Sequence, residues 1–143
     1  MVKTAFLSDE RLLLHDTGNS HPERPARLTA VLNHLEQQPW YQELLTLRAT
    51  PCSDNWLYSV HDKALIRRAE QTCLSGQSYL DSPDVQVNTH SFNTALLAAG
   101  GVLKLVDLVI SARGAVVFDS VLEFFGGHFC SLPNQGRLPL QVN

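Results

Sequence analysis

The stretch His15-Asp16-Thr17-Gly18-Asn19-Ser20-His21-Pro22-Glu23-Arg24-Pro25-Ala26-Arg27-Leu28 is the most informative segment of this sequence. Within 14 residues it holds two histidines, two carboxylates, two arginines, two prolines and a glycine. A surface loop rarely needs that mixture for stability, whereas a binding or catalytic loop needs it to hold charged groups in fixed directions. The stretch therefore predicts a site loop, called the signature loop below, that leads into a helix.

Short apolar runs alternate with helical patterns on both sides of this loop. Leu28, Val31, Leu32 and Leu35 recur at helical spacing and predict a helix over about 25–37, which Pro39 ends. Strands are predicted at residues 4–7, 44–49 and 115–118. Further helices are predicted after the N-cap residues Ser53, Asp62 and Thr89, the second ending at Gly76 and the third running over about 90–111. Alternation of this kind favours an α/β fold with a parallel sheet, here helix-rich with few strands.

The long predicted helix has two further features. Its apolar face is predicted to include Phe92, Leu96, Ala99, Leu103 and Val106. The Gly100-Gly101 pair lowers helix propensity and predicts the close approach of another element.

Composition excludes some classes of protein. The 143 residues, 44% of them hydrophobic, suit one domain with a real core. A net charge of −3 provides no basic footprint, so no direct nucleic-acid partner is expected. The three cysteines, Cys52, Cys73 and Cys130, are odd in number and widely spaced, which favours a reduced location: the cytoplasm, or the nucleus in a eukaryote.

No membrane role is expected either. The run of residues 5–7 is too short for a signal-peptide core. The apolar stretch of residues 94–112 contains Lys104 and Asp107, so it is interpreted as a core helix and not as a membrane span.

Four ordered segments resemble one protein family. The signature loop is similar to H-D-T-G-x-x-H-P-E-R-P-x-R-L, the N-terminal signature of class II-type histone deacetylases and acetoin-utilization deacetylases. The segments at residues 60–62, 80–84 and 91–101 resemble the motifs that follow it in that family. The resemblance implies the N-terminal part, residues 1–112, of an arginase/deacetylase-like three-layer α/β/α domain with a parallel sheet, helix-rich and truncated.

Agreement with the family stops after the third predicted strand. Family members continue with R-P-P-G-H-H-A and later D-x-H, which supply the catalytic histidine pair and the zinc ligands. Here Gly127-His128 is followed by Phe129, and no D-x-H occurs in the chain. Residues 113–143 are therefore interpreted as a strand plus an unmatched tail, a pattern typical of a frameshift, an intron-reading artefact or an altered splice product. Zinc is expected as the cofactor of the full-length family, with no metal ligand, catalytic residue or bound zinc expected for this chain alone.

The resemblance also assigns substrate-binding or channel residues. Arg27 matches an arginine behind the metal, where a guanidinium can bind a carboxylate through two hydrogen bonds; the alternative is a solvated arginine on the first helical turn. Asp81 matches a rim carboxylate that orients the substrate backbone, with a turn residue as its alternative and Asp84 competing for the same position. The remaining residues of this set shape the channel mouth: His21, Pro22, Glu23 and Arg24. Glu23 and Arg24 have a local ion pair as the alternative.

Other histidines are given structural interpretations. His15, Asp16 and His21 lie on one loop without a fourth ligand at a recognised spacing, so a metal cluster is not favoured. His61 and Asp62 are expected to pack and to cap, and His128 to lie at the surface.

Two classes of function follow. The first is zinc-dependent hydrolysis of acetyl-lysine in proteins, or of a small acetylated amine, by the full-length family, with this chain a truncated form. The alternative is a catalytically inactive fragment or protein-interaction module. A small α/β binding domain unrelated to deacetylases is a third interpretation.

Overall fold

The computed structural model describes residues 4–112 and 116–119. Within these ranges the strands are β1 (Thr4–Leu7), β2 (Leu45–Leu47) and β3 (Val116–Asp119). The α-helices of the same ranges are α1 (Pro25–Glu36), α2 (Asp54–Val60), α3 (Lys63–Leu74) and α4 (Ser91–Ala112). Two short 3-10 helices, Glu10–Leu14 and Tyr41–Glu43, follow β1 and precede β2.

The strands form a parallel sheet in the order β2-β1-β3. Ala5 lies opposite Leu45 on one side and Val117 on the other, so β1 is the paired, central strand. Ala5, Phe6 and Leu7 are all buried, as expected for a parallel strand covered on both faces. The predicted α/β fold with a parallel sheet is confirmed, and β2 is shorter than the predicted strand.

Of the three predicted N-cap side chains, one caps its helix as predicted and two do not. Asp62 accepts the Ala64 amide at 2.6 Å and begins α3, which ends before Gly76 at φ +70°. Ser53 precedes α2 and its main-chain carbonyl accepts the Trp56 and Leu57 amides, but its side chain makes no capping bond. Before α4 the acceptor is the Asn88 side chain, which receives the His90 amide at 2.9 Å, whereas the sequence predicted Thr89.

The face that α4 buries differs from the predicted one. The buried positions are the Gly100-Gly101 pair and Ser91, Thr94, Leu97, Ala98 and Leu105. The predicted stripe is only half-buried, and its Val106 is 46% exposed. The helix is apolar on nearly every side, so periodicity alone does not single out a face. Small residues on the true face let the helix axis approach the core.

The prediction that the glycine pair allows close approach is confirmed. The Gly100 backbone packs directly against the backbone of residues 50–52, and the Cys52 amide donates to the Leu96 carbonyl at 2.8 Å. Gly101 faces the side chains of Leu7 and Ala49. Two consecutive glycines thus join α4 to both the sheet and the loop after β2.

By length and composition, residues Ser91–Ser111 would also suit a membrane span, with a mean hydropathy of 1.8. Core helices meet the same criterion. In this structure the buried face of α4 packs against β1 and the helix at Glu10–Leu14.

Candidate functional site

His15 connects the signature loop to the start of α4. Its side chain is 6% exposed, and its Nδ1 lies 2.6 Å from Ser91 Oγ. The main-chain N–H of Asn88 donates to the same hydroxyl at 2.8 Å, and the side-chain Nδ2 of Asn88 donates to the Leu14 carbonyl at 2.8 Å. Residues some 75 positions apart in sequence are therefore joined by one polar network, buried at the His15–Ser91 contact and exposed at the Asn88–Leu14 bond.

The loop also holds its own shape. Gly18 adopts φ +86°, and its amide donates to Asp16 Oδ1 at 2.8 Å. Thr17 Oγ1 donates to the Glu23 carbonyl at 2.9 Å, and the Glu23 amide donates to His21 Nδ1 at 3.1 Å. Because His21 Nδ1 accepts a hydrogen bond, the neutral ring carries its proton on Nε2.

A cavity of about 40 Å³ lies where this loop meets α3, α4 and the segment between those helices. The signature loop contributes four residues, of which His21 and Glu23 were predicted site residues. The cavity is lined by His15, Thr17, His21, Glu23, Ala69, Cys73, Leu80, Asp84, Val85, Gln86, Val87, Ser91 and Phe92. His21 and Glu23 therefore share one cavity with Asp84, the residue that competes with Asp81 in the sequence interpretation.

The other predicted channel residues lie outside that cavity. Pro22, Arg24 and Arg27 line a shallow surface depression, which His21 also borders. Arg24 donates to the Asn19 carbonyl, and Arg27 is exposed on the first turn of α1. The channel role of Arg27 stays a prediction.

Asp81 lies on a separate open depression beside Tyr79 and Pro83. Its two carboxylate oxygens accept from Arg68 Nε and Nη2, each at 2.8 Å. This Arg68 pairing lowers the pKa of the Asp81 carboxyl. The rim role of Asp81 stays a prediction, but its carboxylate is engaged by α3 and not by a turn amide.

The zinc ligands of the family are not found among these residues. Within residues 4–112 and 116–119, no three His, Cys, Asp or Glu side chains form a group that could hold a metal. The absence of a metal cluster at His15, Asp16 and His21 stays a prediction. The described residues do not fit a zinc centre, and His128 lies outside them.

The burial of His15 predicts that the stability of the fold depends on pH. Burial, the largest effect, holds the pKa of His15 below its ordinary 6.5, although Glu23 and Asp16 oppose this shift. The unfolded chain thus binds a proton on His15 more readily than the folded one, so stability is full above about pH 6.5 and falls as the pH drops towards the folded pKa.

We expect the variant His15→Gln to flatten the fall in the free energy of unfolding between pH 7 and pH 5. Urea titrations monitored by circular dichroism measure this, with His34→Gln, an exposed position on α1, as the matched control. An unchanged slope in His15→Gln would contradict the prediction.

Comparison with known proteins identifies the family. The model of the histone deacetylase domain matches residues 21–135, most of the chain. The chain is 36% identical over 109 residues to human polyamine deacetylase HDAC10, covering 73% of this chain and 16% of that protein. It is 31% identical over 115 residues to the uncharacterized protein slr0245 of Synechocystis, covering 78% and 38% respectively.

A solved structure shows the same relationship. The HD domain of HDA15 superposes with a TM-score of 0.75 at 29% identity, covering 82% of this chain and 34% of that one. The chain belongs to the histone deacetylase family, and its described part has the deacetylase fold in part. The resemblance stated from the four motifs is confirmed. The family match runs past residue 112, to residue 135. The predicted domain boundary at residue 112 stays a prediction.

Proposed function

We propose that this chain supplies the N-terminal, substrate-side part of a zinc-dependent deacylase domain. The observation that carries the proposal is the convergence of the signature loop, α3, the 77–88 segment and the start of α4 on one cavity, in a chain of the histone deacetylase family. The chain spans 38% of slr0245 and 16% of HDAC10, so activity belongs to a longer polypeptide in this proposal.

The proposed substrates are acetyl-lysine in proteins or a small acetylated amine. The relative HDAC10 is named a polyamine deacetylase, which supports including small amines. His21 and Glu23 would form one wall of the entrance, with Pro22 and Arg24 on its outer side. Arg27 would serve the internal channel behind the metal. The cytoplasm, or the nucleus in a eukaryote, remains the proposed location.

Grafting tests this proposal directly. In this graft, residues 1–112 would replace the matching region of slr0245. The remaining segments of slr0245 would then supply the metal ligands, a group that is not found among the described residues. Hydrolysis of acetyl-lysine peptides or acetylated polyamines by the graft would support the proposal. A folded, zinc-containing graft without hydrolysis, beside an active slr0245, would contradict it.

The 143-residue chain alone is expected to bind no stoichiometric zinc and to show no deacetylase turnover. A catalytic zinc normally needs three protein ligands, and the described residues provide no such group. Elemental analysis of the purified chain and an acetyl-lysine assay measure both quantities, with the variant Arg27→Ala as comparison. Metal-dependent turnover abolished by Arg27→Ala would show that residues outside those described complete a site.

A non-catalytic interaction module is the second candidate. Large apolar side chains are exposed on three helices: Trp56, Val60, Leu74 and Ile110, with Val60 70% exposed. Apolar exposure of this kind favours association with another surface. Size-exclusion chromatography with hydrogen exchange distinguishes the candidates, because a compact, well-protected monomer would argue against this one.

A further inference from the structure

The segment between α3 and α4 contains a small hairpin, defined here as residues 78–87. The Leu80 amide donates to the Val85 carbonyl and the Val87 amide to the Ser78 carbonyl, each at 2.9 Å. Leu80 is buried against the cavity, and residues 84–87 all line it. The hairpin is therefore one wall of the cavity, and Asp84 is the carboxylate on that wall.

The turn of this hairpin has an unusual conformation. Asp81 has φ +61°, and among the described residues it alone combines a positive φ with a side chain. This region is unfavourable for L-residues, although Asp tolerates it better than most. A contact from outside the turn can offset the cost of this conformation.

Arg68 of α3 provides that stabilisation. Its guanidinium meets both carboxylate oxygens of Asp81 in the parallel two-bond arrangement, at 2.8 Å each. That geometry fixes direction as well as distance. The pair thus ties the strained turn of the hairpin to the helix that forms the opposite wall, where Ala69 and Cys73 line the same cavity.

We propose that Arg68 and Asp81 form a clasp that holds the hairpin closed over the cavity. In this assignment Asp81 acts through Arg68 as a positioning residue, and Asp84 is the carboxylate that faces the cavity. The inference rests on the proposed function only in treating the cavity as part of the substrate entrance. Closure of the hairpin itself is a property of this chain and is tested without catalysis.

Cys73 is a natural probe of that closure. Its thiol lines the cavity and is 4% exposed, and burial raises its pKa, so alkylation requires the cavity to open. Cys52 is also buried but lies after β2, away from the cavity lining, where it reports opening of the core. Comparing the two thiols in one sample separates hairpin opening from unfolding.

The experiment measures N-ethylmaleimide labelling of Cys73 and Cys52 in the full chain by peptide mass spectrometry. Arg68→Gln should raise the Cys73 rate about two- to fivefold, the range for an exposed but well-formed ion pair, and leave Cys52 unchanged. Arg67→Gln, at the exposed neighbouring position of α3, is the matched control and should change neither rate. Arg68→Lys keeps the charge without the two-bond geometry and should give an intermediate rate.

Asp81→Asn provides the second test, since Asn also tolerates a positive φ. It should match Arg68→Gln, and the double variant should open no further, because both changes remove the same pair. The clasp would be overturned if Arg68→Gln left the Cys73 labelling rate unchanged or raised the Cys52 rate in parallel. It would also be overturned if the effects of the two single variants added in the double variant, or if Arg67→Gln raised the Cys73 rate equally. A folded, zinc-containing graft that is inactive beside an active slr0245 would overturn the proposed function and leave these labelling results to decide the clasp.

Discussion

Gly100→Ala is expected to destabilise the chain by about 3 kcal/mol, or to prevent folding. A Cβ at this position would overlap the Thr50 carbonyl oxygen and lie 2.6 Å from the Cys52 amide nitrogen. Both obstacles are backbone atoms, and the Cys52 amide is itself bonded to the Leu96 carbonyl, so neither can move without separating the loop from α4. Propensity alone predicts the opposite sign, since alanine in a helix interior is favoured over glycine by about 1 kcal/mol.

Urea denaturation followed by circular dichroism measures the effect. The matched control is Gly101→Ala, whose Cβ would meet the flexible Leu7 side chain at 3.0 Å and should cost much less. Equal stability of Gly100→Ala and the parent would show that the loop does not pack on α4 as described.

Asp9→Asn is expected to cost about 2 kcal/mol at neutral pH. Asp9, which is 8% exposed, follows β1 and accepts from Arg11 Nε and Nη2 at 2.8 and 2.6 Å and from the Ala49 amide at 3.2 Å. Arg11 also donates to the Ala49 carbonyl at 2.8 Å. The carboxylate thus joins the end of β1 to the segment after β2, and an amide cannot accept all of these bonds.

The same contacts predict acid sensitivity. The Arg11 hydrogen bonds, opposed by burial, lower the pKa of Asp9 from 3.8 to about 2. Because the folded-state pKa is depressed, the stabilisation is complete above about pH 4 and is lost as the pH falls through about 2.

Unfolding free energies of the parent and Asp9→Asn at pH 7, 4 and 2.5 measure this. The two should converge towards pH 2.5, while Glu10→Gln, an exposed neighbour, should follow the parent throughout. A constant difference at all three values would contradict the assignment.

Features that depend on interactions between residues close in the sequence were predicted correctly from the sequence. The helix at α1, the Asp62 cap and the Gly76 stop depend on contacts within a few residues, so their spacing in the sequence is informative. The parallel sheet followed from apolar runs alternating with helices. The family followed from four ordered motifs, a signal that does not require knowing where any side chain points.

The face of α4 and the layout of the site required the folded chain. An almost uniformly apolar helix has no preferred side until the sheet presents one, so Thr94 and Leu105 are buried where Val106 was predicted. Asp9 and Ser91 are ordinary polar residues in the sequence, and their roles arise from partners 40 and 76 positions away.

The sequence by itself determined the α/β class, the helix boundaries set by local caps and the family, because these depend on neighbouring residues and ordered motifs. Tertiary structure alone placed Asp84 on the cavity with His21 and Glu23, and placed Asp81 against Arg68. Two aspartates three positions apart on a hairpin face different surroundings, and only the packing of that hairpin between α3 and α4 decides which one meets the cavity.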